Sequence, residues 1–230
     1  MTSGIWYRLD MSSALEILLE PIRSSPLLPE VADALRREVE AEKQLRAKFY
    51  QEMTPSQKIE FIGGEVILHS PARNAHLDAT LNIGILVADF VRKHGLGEVK
   101  IEKCLCVFPR NDYEPDVVFF GKNKVADFDG ATMKFPIPDF IVEVLSESTE
   151  ARDRGVKFED YAAHGVGEFW IVDAERGIVE QYLLEDGAYI LETKTSSGDI
   201  RSRALEGFSA PVRAFFDAAE NYAALHAVKN

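Results

Sequence analysis

The chain predicts a mixed α/β fold (α/β or α+β) in which helices flank one central mixed β-sheet, and three observations lead there. Hydrophobic periodicity reads, in order, as helix, hairpin, helix, several strands, helix and further strands. The regular βαβα alternation of a doubly wound sheet is missing, as are a GxGxxG turn and a phosphate-binding loop. The 230 residues, 46% hydrophobic and 28% charged, can bury a substantial core without disulfides or structural metals.

Residues 1–50 read as an N-terminal helical extension and 51–230 as the main domain. "SSPLLPE" supplies a turn and a helix start, after which Val31, Leu35, Val39, Leu45 and Phe49 recur at helical intervals. Such a stripe either packs on the main domain or serves as a dimer contact. "QKIEFIGGEVILHS" places two short apolar segments around Gly63-Gly64, the pattern of a β-hairpin. "NAHLDATLNIGILVADFVRKHG" predicts an amphipathic helix closed by Gly95, with Leu77, Leu81, Ile85 and Phe90 facing inward. Strands follow at "GEVKIEKCLCVF", "PDVVFFG" and "DFIVEVL". A helix is predicted over 149–164, ending at Gly165, then three strands in "EFWIVDAERGIVEQYLLEDGAYIL" and a last helix in "APVRAFFDAAENYAAL".

Several function classes recede on composition. The opening "MTSGIWYRLDMSSALEILLEPIR" lacks the basic start and apolar run of a signal peptide, and no apolar stretch approaches a membrane span. A cytoplasmic location is expected. Cys104 and Cys106 lie two apart, on one face of a strand, with no further Cys or His at zinc-ligand spacing, and read as buried structural thiols. A net charge of −12 opposes non-specific binding to nucleic acid, although a bound metal or a local basic patch reverses the field over one cleft.

The chemistry concentrates in "PDFIVEVLSESTEARDRGVKFEDY", residues 138–161. Glu143 interrupts an apolar strand, and an ionised carboxylate there is costly unless something pairs with it. Asp139 shares its strand face but lies about 13 Å away, too far to hold the same ion. Asp116 opens the neighbouring strand, and cross-strand neighbours approach to about 5 Å. Two such carboxylates repel, and a divalent cation relieves them. Hard oxygen ligands suit Mg²⁺ or Mn²⁺, with the main-chain carbonyl beside Glu143, that of Val144, as a further ligand. The ion would polarise a phosphoryl oxygen and activate water for in-line attack. Lys157, on the following helix, is the candidate cation near the attacking water, against the bland reading of a solvated i,i+4 pair with Asp153. Arg152 and Arg154, on the same helix, are candidate phosphate contacts.

Taken together, "EPDVVFF" and "PDFIVEVLSESTEARDRGVKFEDYAAHGVGEFWIVD" resemble the restriction-endonuclease-like family within the PD-(D/E)xK nuclease superfamily. "IEFIGGEVI" with the downstream His76, and the late "SRALEGFSAPVRAFF", extend the resemblance over roughly residues 55–220. The resemblance implies a restriction-endonuclease-like core and a Mg²⁺- or Mn²⁺-dependent endonuclease acting on nucleic acid, DNA before RNA. It implies Asp116 and Glu143 as metal ligands and a lysine that assists the attacking water. The sequence departs from the pattern where Leu145 stands in the usual lysine position, and Lys157 on the next helix takes its place. Glu65, and after it Glu60, are candidates to point an acid at the site from the hairpin, each against the reading of a surface carboxylate. His76, opening the first core helix, is a candidate near substrate.

Two other function classes compete with this reading. His76-Leu77-Asp78 has the H-x-D form of a facial iron triad, with His164 or His226 as distant third ligands, but it opens a helix where that chemistry uses a strand or loop; His69 and His94 offer no better partner. The stronger alternative is a nuclease fold kept as a binding or interaction module, favoured by the acidic charge and by Leu145. A homodimer is expected if both strands of a duplex are cut, with the N-terminal helix as its contact.

Overall fold

The computed structural model describes residues 11–227, so residues 1–10 of the predicted extension, which open the segment read as lacking a signal peptide, and residues 228–230 lie outside the described residues. Two helices, α1 (Met11–Arg23) and α2 (Leu28–Glu52), precede a hairpin of β1 (Ile59–Ile62) and β2 (Glu65–Leu68). Helix α3 (Asn74–His94) leads to β3 (Gly97–Ile101), β4 (Leu105–Val107), β5 (Asp112–Tyr113), β6 (Val117–Gly121), β7 (Lys134–Phe135) and β8 (Phe140–Val144). Two short helices, α4 (Glu150–Asp153) and α5 (Val156–Ala163), precede β9 (Glu168–Asp173), β10 (Ile178–Glu185) and β11 (Ala188–Thr195). A small pair, β12 (Asp199–Arg201) and β13 (Ser209–Pro211), a 3₁₀ turn (Val212–Phe215) and α6 (Ala218–Ala227) complete the described chain.

Six strands form the central sheet in the order β11-β10-β9-β8-β6-β3, antiparallel except where β8 runs parallel to β9. This is the predicted mixed sheet. A second sheet, β2-β1-β5-β4-β7, packs beside it. Strand alternation sorts the central sheet's side chains between two cores. Phe140, Val142 and Val144 of β8 face α3, α6 and the 3₁₀ turn, among Ile83, Val87, Trp170 and Phe215. Ile141, on the other face, packs with Val118, Phe120, Phe169 and Tyr161. Each such fully buried side chain contributes about 1.5–3 kcal/mol, so both faces of β8 are strongly specified. Glu143 shares the parity of Ile141, and Asp116 that of Val118. The alternation therefore sends both carboxylates to the same side of the sheet.

Three sequence expectations need correcting. Helix α3 buries Ala79, Thr80, Asn82, Ile83, Leu86, Val87 and Val91, while the predicted inward residues Leu77, Leu81 and Ile85 are 48, 50 and 38% exposed. Phe90 alone of that set packs on the core. Both stripes have helical period, and close approach chooses between them: a Cβ on Gly84 would lie 2.9 Å from Ile101 on β3, so the glycine face is the one that can press on the sheet. The helix predicted over 149–164 is broken at Gly155 into α4 and α5. The predicted C-terminal helix begins only at Ala218, where Asp217 Oδ1 accepts the amides of Ala219 and Glu220 at 2.9 Å each; the residues before it form β13 and the 3₁₀ turn.

Helix α2 meets the domain through its C-terminal half, where Glu42 also pairs with Arg110. Leu35, Val39 and Leu45 are half exposed, and Phe49 is buried against Ile59, Phe61 and Leu105. Arg46 fixes that end by donating to both oxygens of buried Asp112 at 2.7 Å and to the carbonyls of Phe108, Pro109 and Asn111.

Candidate active site

Register places the central pair. Val117 of β6 lies opposite Val142 of β8, so one step outward brings Asp116 opposite Glu143. The Val144 amide donates to Asp116 Oδ2 at 2.8 Å, which fixes that carboxylate at the strand end. The Lys157 ammonium rises from α5 to Glu143 Oε1 and Glu60 Oε1, each at 3.0 Å, and to Asp153 Oδ1 at 3.2 Å. Tyr161 donates its hydroxyl to Glu143 Oε1 at 2.8 Å. Asp153, Lys157 and Tyr161 recur every four residues, so they reach one point from successive turns. All of these groups are almost fully buried.

One cation thus faces three carboxylates, and the balance shows in their acidities. Burial pushes the Glu143 carboxyl well above the ordinary range; Lys157 opposes this, while Asp153, Asp116 and Glu60 reinforce it. For Glu60 burial acts the same way but Lys157 and His69 outweigh it, and its carboxyl falls to about 2. His69 Nε2 stands 3.0 Å from Glu60 Oε2, yet neither atom makes an aligned hydrogen bond. Burial depresses the Lys157 ammonium, and Glu143, Glu60 and Asp153 more than restore it, so it stays charged.

Glu168 on β9 shows what a buried carboxylate looks like when its role is structural. It accepts five hydrogen bonds, from Trp170, Gln181, Ser202 and the amides of Arg203 and Ala204, at 2.6–2.8 Å. Glu143 instead takes two donors, both on Oε1, leaving Oε2 to the cleft.

Asp116 Oδ1 faces outward. Lys58 Nζ donates to it at 2.7 Å and lies 3.0 Å from Glu102 Oε2; His76 Nε2 stands 3.4 Å from the same Oδ1. Burial opposes ionisation of Asp116, but His76 and Lys58 hold its carboxyl far below the usual range. These groups line a cleft of about 740 Å³ running from Lys157 and Glu143 out to Arg73, Glu147, Glu150, Glu175 and Arg176.

The structure therefore brings Asp116, Glu143, Lys157 and His76 together, with Val144 beside them through its amide. It does not bring Glu65. That residue is exposed on edge strand β2, opposite Ile62 at the turn, whereas Glu60 on inner strand β1 is fully buried against Lys157. The hairpin's acid is Glu60, because β1 pairs with β5 on its far side and β2 has no further neighbour. Arg154 is committed to Glu150 and Glu180, and neither it nor Arg152 lines the cleft. Asp78 of the H-x-D string bonds Asn74 within α3.

Sequence reasoning missed Lys58, Glu102 and Tyr161, and gave Asp153 only a surface role. The D-x₃-K-x₃-Y spacing was a usable signal for Asp153 and Tyr161. Nothing local marks Lys58 or Glu102, which meet Asp116 from separate segments.

The donor set fits a divalent cation. Glu60, Glu102, Asp116, Glu143 and Asp153 converge on two lysines, and neither oxygen of buried Asp153 makes an aligned hydrogen bond, Oδ1 having its 3.2 Å ion pair with Lys157. Such an excess of hard oxygen donors is what Mg²⁺ or Mn²⁺ requires.

Comparison with known proteins adds family and fold. The profile of the Uma2 family, described as "Putative restriction endonuclease", matches residues 46–213. Among solved structures, a protein of Anabaena variabilis described as a "putative nuclease belonging to DUF820" superposes with a TM-score of 0.64 at 15% identity, covering 75% of this chain and 96% of that one. At that identity the likeness concerns the fold. No match was found among curated proteins.

Proposed function

The chain belongs to the Uma2 family of restriction-endonuclease-type proteins, and from that membership we propose that it is a metal-dependent endonuclease hydrolysing phosphodiester bonds of nucleic acid, DNA before RNA. The observation that carries this reading is the Asp116–Glu143 pair on adjacent strands with the Lys157 ammonium 3.0 Å from Glu143. Asp116 and Glu143, with the carbonyl of Val144, would hold Mg²⁺ or Mn²⁺. When bound, such an ion polarises a phosphoryl oxygen and lowers the pKa of a coordinated water.

The remaining work falls to the chain's own groups. Lys157, charged and immobilised by three carboxylates, orients water beside Glu143 and offsets charge that develops on the phosphate. Tyr161 and Asp153 hold that lysine and Glu143 in place. His76, beside Asp116 Oδ1, lines the cleft near the path of an entering substrate. The cleft is open along one side and bounded by loops, which suits a polymer chain better than an enclosed metabolite.

A second reading has its own support. Glu147, Glu150, Asp173 and Glu175 line the cleft, and the chain carries a net charge of −12, so without metal the cleft repels phosphate. That favours either a strict metal requirement or a fold retained as an interaction module.

The test is cleavage of supercoiled plasmid and single-stranded DNA at low salt with Mg²⁺ or Mn²⁺, using wild type, Glu143→Gln and Asp116→Asn. Metal-dependent nicking lost in both variants supports the nuclease. Activity surviving in Glu143→Gln removes the assignment, and inactivity of every folded protein moves the reading to the module. An RNA substrate in parallel decides between the two polymers. We also propose residues 1–50 as a helical extension to a nuclease domain spanning 51–230, a cytoplasmic location, and a homodimer through the exposed stripe Leu35, Val39 and Leu45. Light scattering on Leu35→Glu/Val39→Glu tests the dimer. No helix among the described residues is long and apolar enough to cross a membrane.

A further inference from the structure

Asp116 uses its two oxygens differently. Oδ2 is held by the Val144 amide, whereas Oδ1 meets three groups from other segments, Lys58, Glu102 through that lysine, and His76. The ligand atoms of His76, Glu102 and Asp116 all lie within 4.8 Å of one another. One imidazole nitrogen and two carboxylate oxygens, with space on the cleft side for water, make a ligand set suited to Mn²⁺ and, less tightly, Mg²⁺. The set is not vacant of charge. The Lys58 ammonium sits on its two carboxylates, 2.7 Å from Asp116 Oδ1 and 3.0 Å from Glu102 Oε2.

We propose that His76, Glu102 and Asp116 form a divalent-cation subsite on the outer side of the Asp116–Glu143 pair, kept closed in the metal-free chain by the Lys58 ammonium, which the incoming ion displaces. The proposal deepens the reading of Asp116 as a metal ligand and rests on it.

Electrostatics requires the exchange. An ammonium about 3 Å from a divalent ion gains almost nothing on the same two carboxylates, because repulsion from the doubly charged ion cancels their attraction and leaves the ammonium better placed in water. The lysine has somewhere to go. Lys58 lies just before β1 on the cleft wall, with its side chain 19% exposed, so rotation about its stem carries the ammonium into the cleft and towards water. Lys157 has no such exit, being 2% exposed by side chain and enclosed by carboxylates. The two lysines of the site therefore differ in kind: Lys157 is fixed beside Glu143, and Lys58 is a counter-ion that metal replaces. Neutralising Asp116 and Glu102 until metal arrives also lets the site fold without leaving those acids uncompensated.

The measurement is a Mn²⁺ titration of the full chain, followed by electron paramagnetic resonance of free Mn²⁺, with no nucleic acid present. Wild type is compared with Lys58→Met, Lys58→Gln, Lys58→Gln/Glu102→Gln and Glu143→Gln. Both Lys58 variants are expected to tighten Mn²⁺ binding at least ten-fold, which is about 1.4 kcal/mol. Adding Glu102→Gln should abolish that gain. If Lys58→Met does not fold, Lys58→Gln, which keeps a donor for the two carboxylates, carries the comparison. Unchanged or weaker binding in the Lys58 variants overturns the subsite, as does a gain that survives Glu102→Gln. If Glu143→Gln still abolishes binding in that case, the Asp116–Glu143 reading stands and only the subsite falls. No Mn²⁺ binding by any variant overturns both.

Discussion

Replacing Lys157 by Met keeps an unbranched side chain of similar length and removes only the charge. In the wild type that charge stands 3.0, 3.0 and 3.2 Å from Glu60, Glu143 and Asp153, none of them more than 3% exposed. Removing one partner from a buried ionic cluster costs about 3–5 kcal/mol, because the opposite charges are left in a poor solvent. In a chain of this size that lowers the melting temperature by about 6–20 °C. The carboxylates have one escape, to take up protons. Glu60 is now held at about 2, so its contribution to stability is fully present above the ordinary value of 4.5 and is lost as pH falls towards 2. Without Lys157 its carboxyl moves up, the folded state holds more protons than the unfolded one, and stability falls as pH rises. The difference between wild type and Lys157→Met should therefore be modest near pH 4 and largest at pH 8. Urea denaturation at both pH values, with a chelator present, reads it directly. A loss under about 1 kcal/mol, or one equal at both pH values, would refute the three-carboxylate account. The same reasoning makes an inactive Lys157 variant poor evidence of catalysis unless its fold is checked, and Glu143→Gln, nearly isosteric, is the cleaner probe.

Three further outcomes are expected. Burial raises Glu114 from 4.5 to about 7 against the Ile59 amide and Lys58, so between those values it is protonated when folded and ionised when unfolded. It therefore costs stability as pH rises from about 4.5 to 7, and Glu114→Gln should stabilise the fold at pH 8 but not at pH 4, by about 1–2 kcal/mol in urea denaturation after allowance for screening; an equal effect at both pH values would argue against it. Arg46→Ala leaves Asp112 buried with Tyr50 as its remaining partner, which should cost about 3–5 kcal/mol and open α2 to limited proteolysis. Protection of α2 equal to wild type would show that Phe49 alone anchors it. Gly97→Ala should abolish soluble expression or cost more than about 3 kcal/mol, since a Cβ there would lie 2.0 Å from the Phe120 carbonyl oxygen at a φ of +151°; a wild-type urea midpoint would contradict the β3–β6 register.

Period-two and period-3.6 patterns are local properties, and what depends on them alone was legible in the chain. Alternation along "DFIVEVL" already sends Glu143 to the face opposite Phe140 and Val142, and the Gly63-Gly64 hairpin, the mixed sheet and the Asp116–Glu143 pairing follow from the same kind of reading. Lys157 came from its place on the next helix. Tertiary structure decided the rest, wherever two local answers were equally good or distant segments had to meet. On α3 two apolar stripes share one period, and only the approach of Gly84 to Ile101 selects the inner one. In the hairpin two glutamates alternate with apolar residues, and only the pairing of β1 with β5 makes Glu60 the buried acid and leaves Glu65 on the edge. Lys58 reaches Asp116 across 58 residues of chain, and Glu102 joins them from the turn after β3. No periodicity encodes that meeting, because it depends on how two sheets pack beside each other rather than on which way any single strand faces.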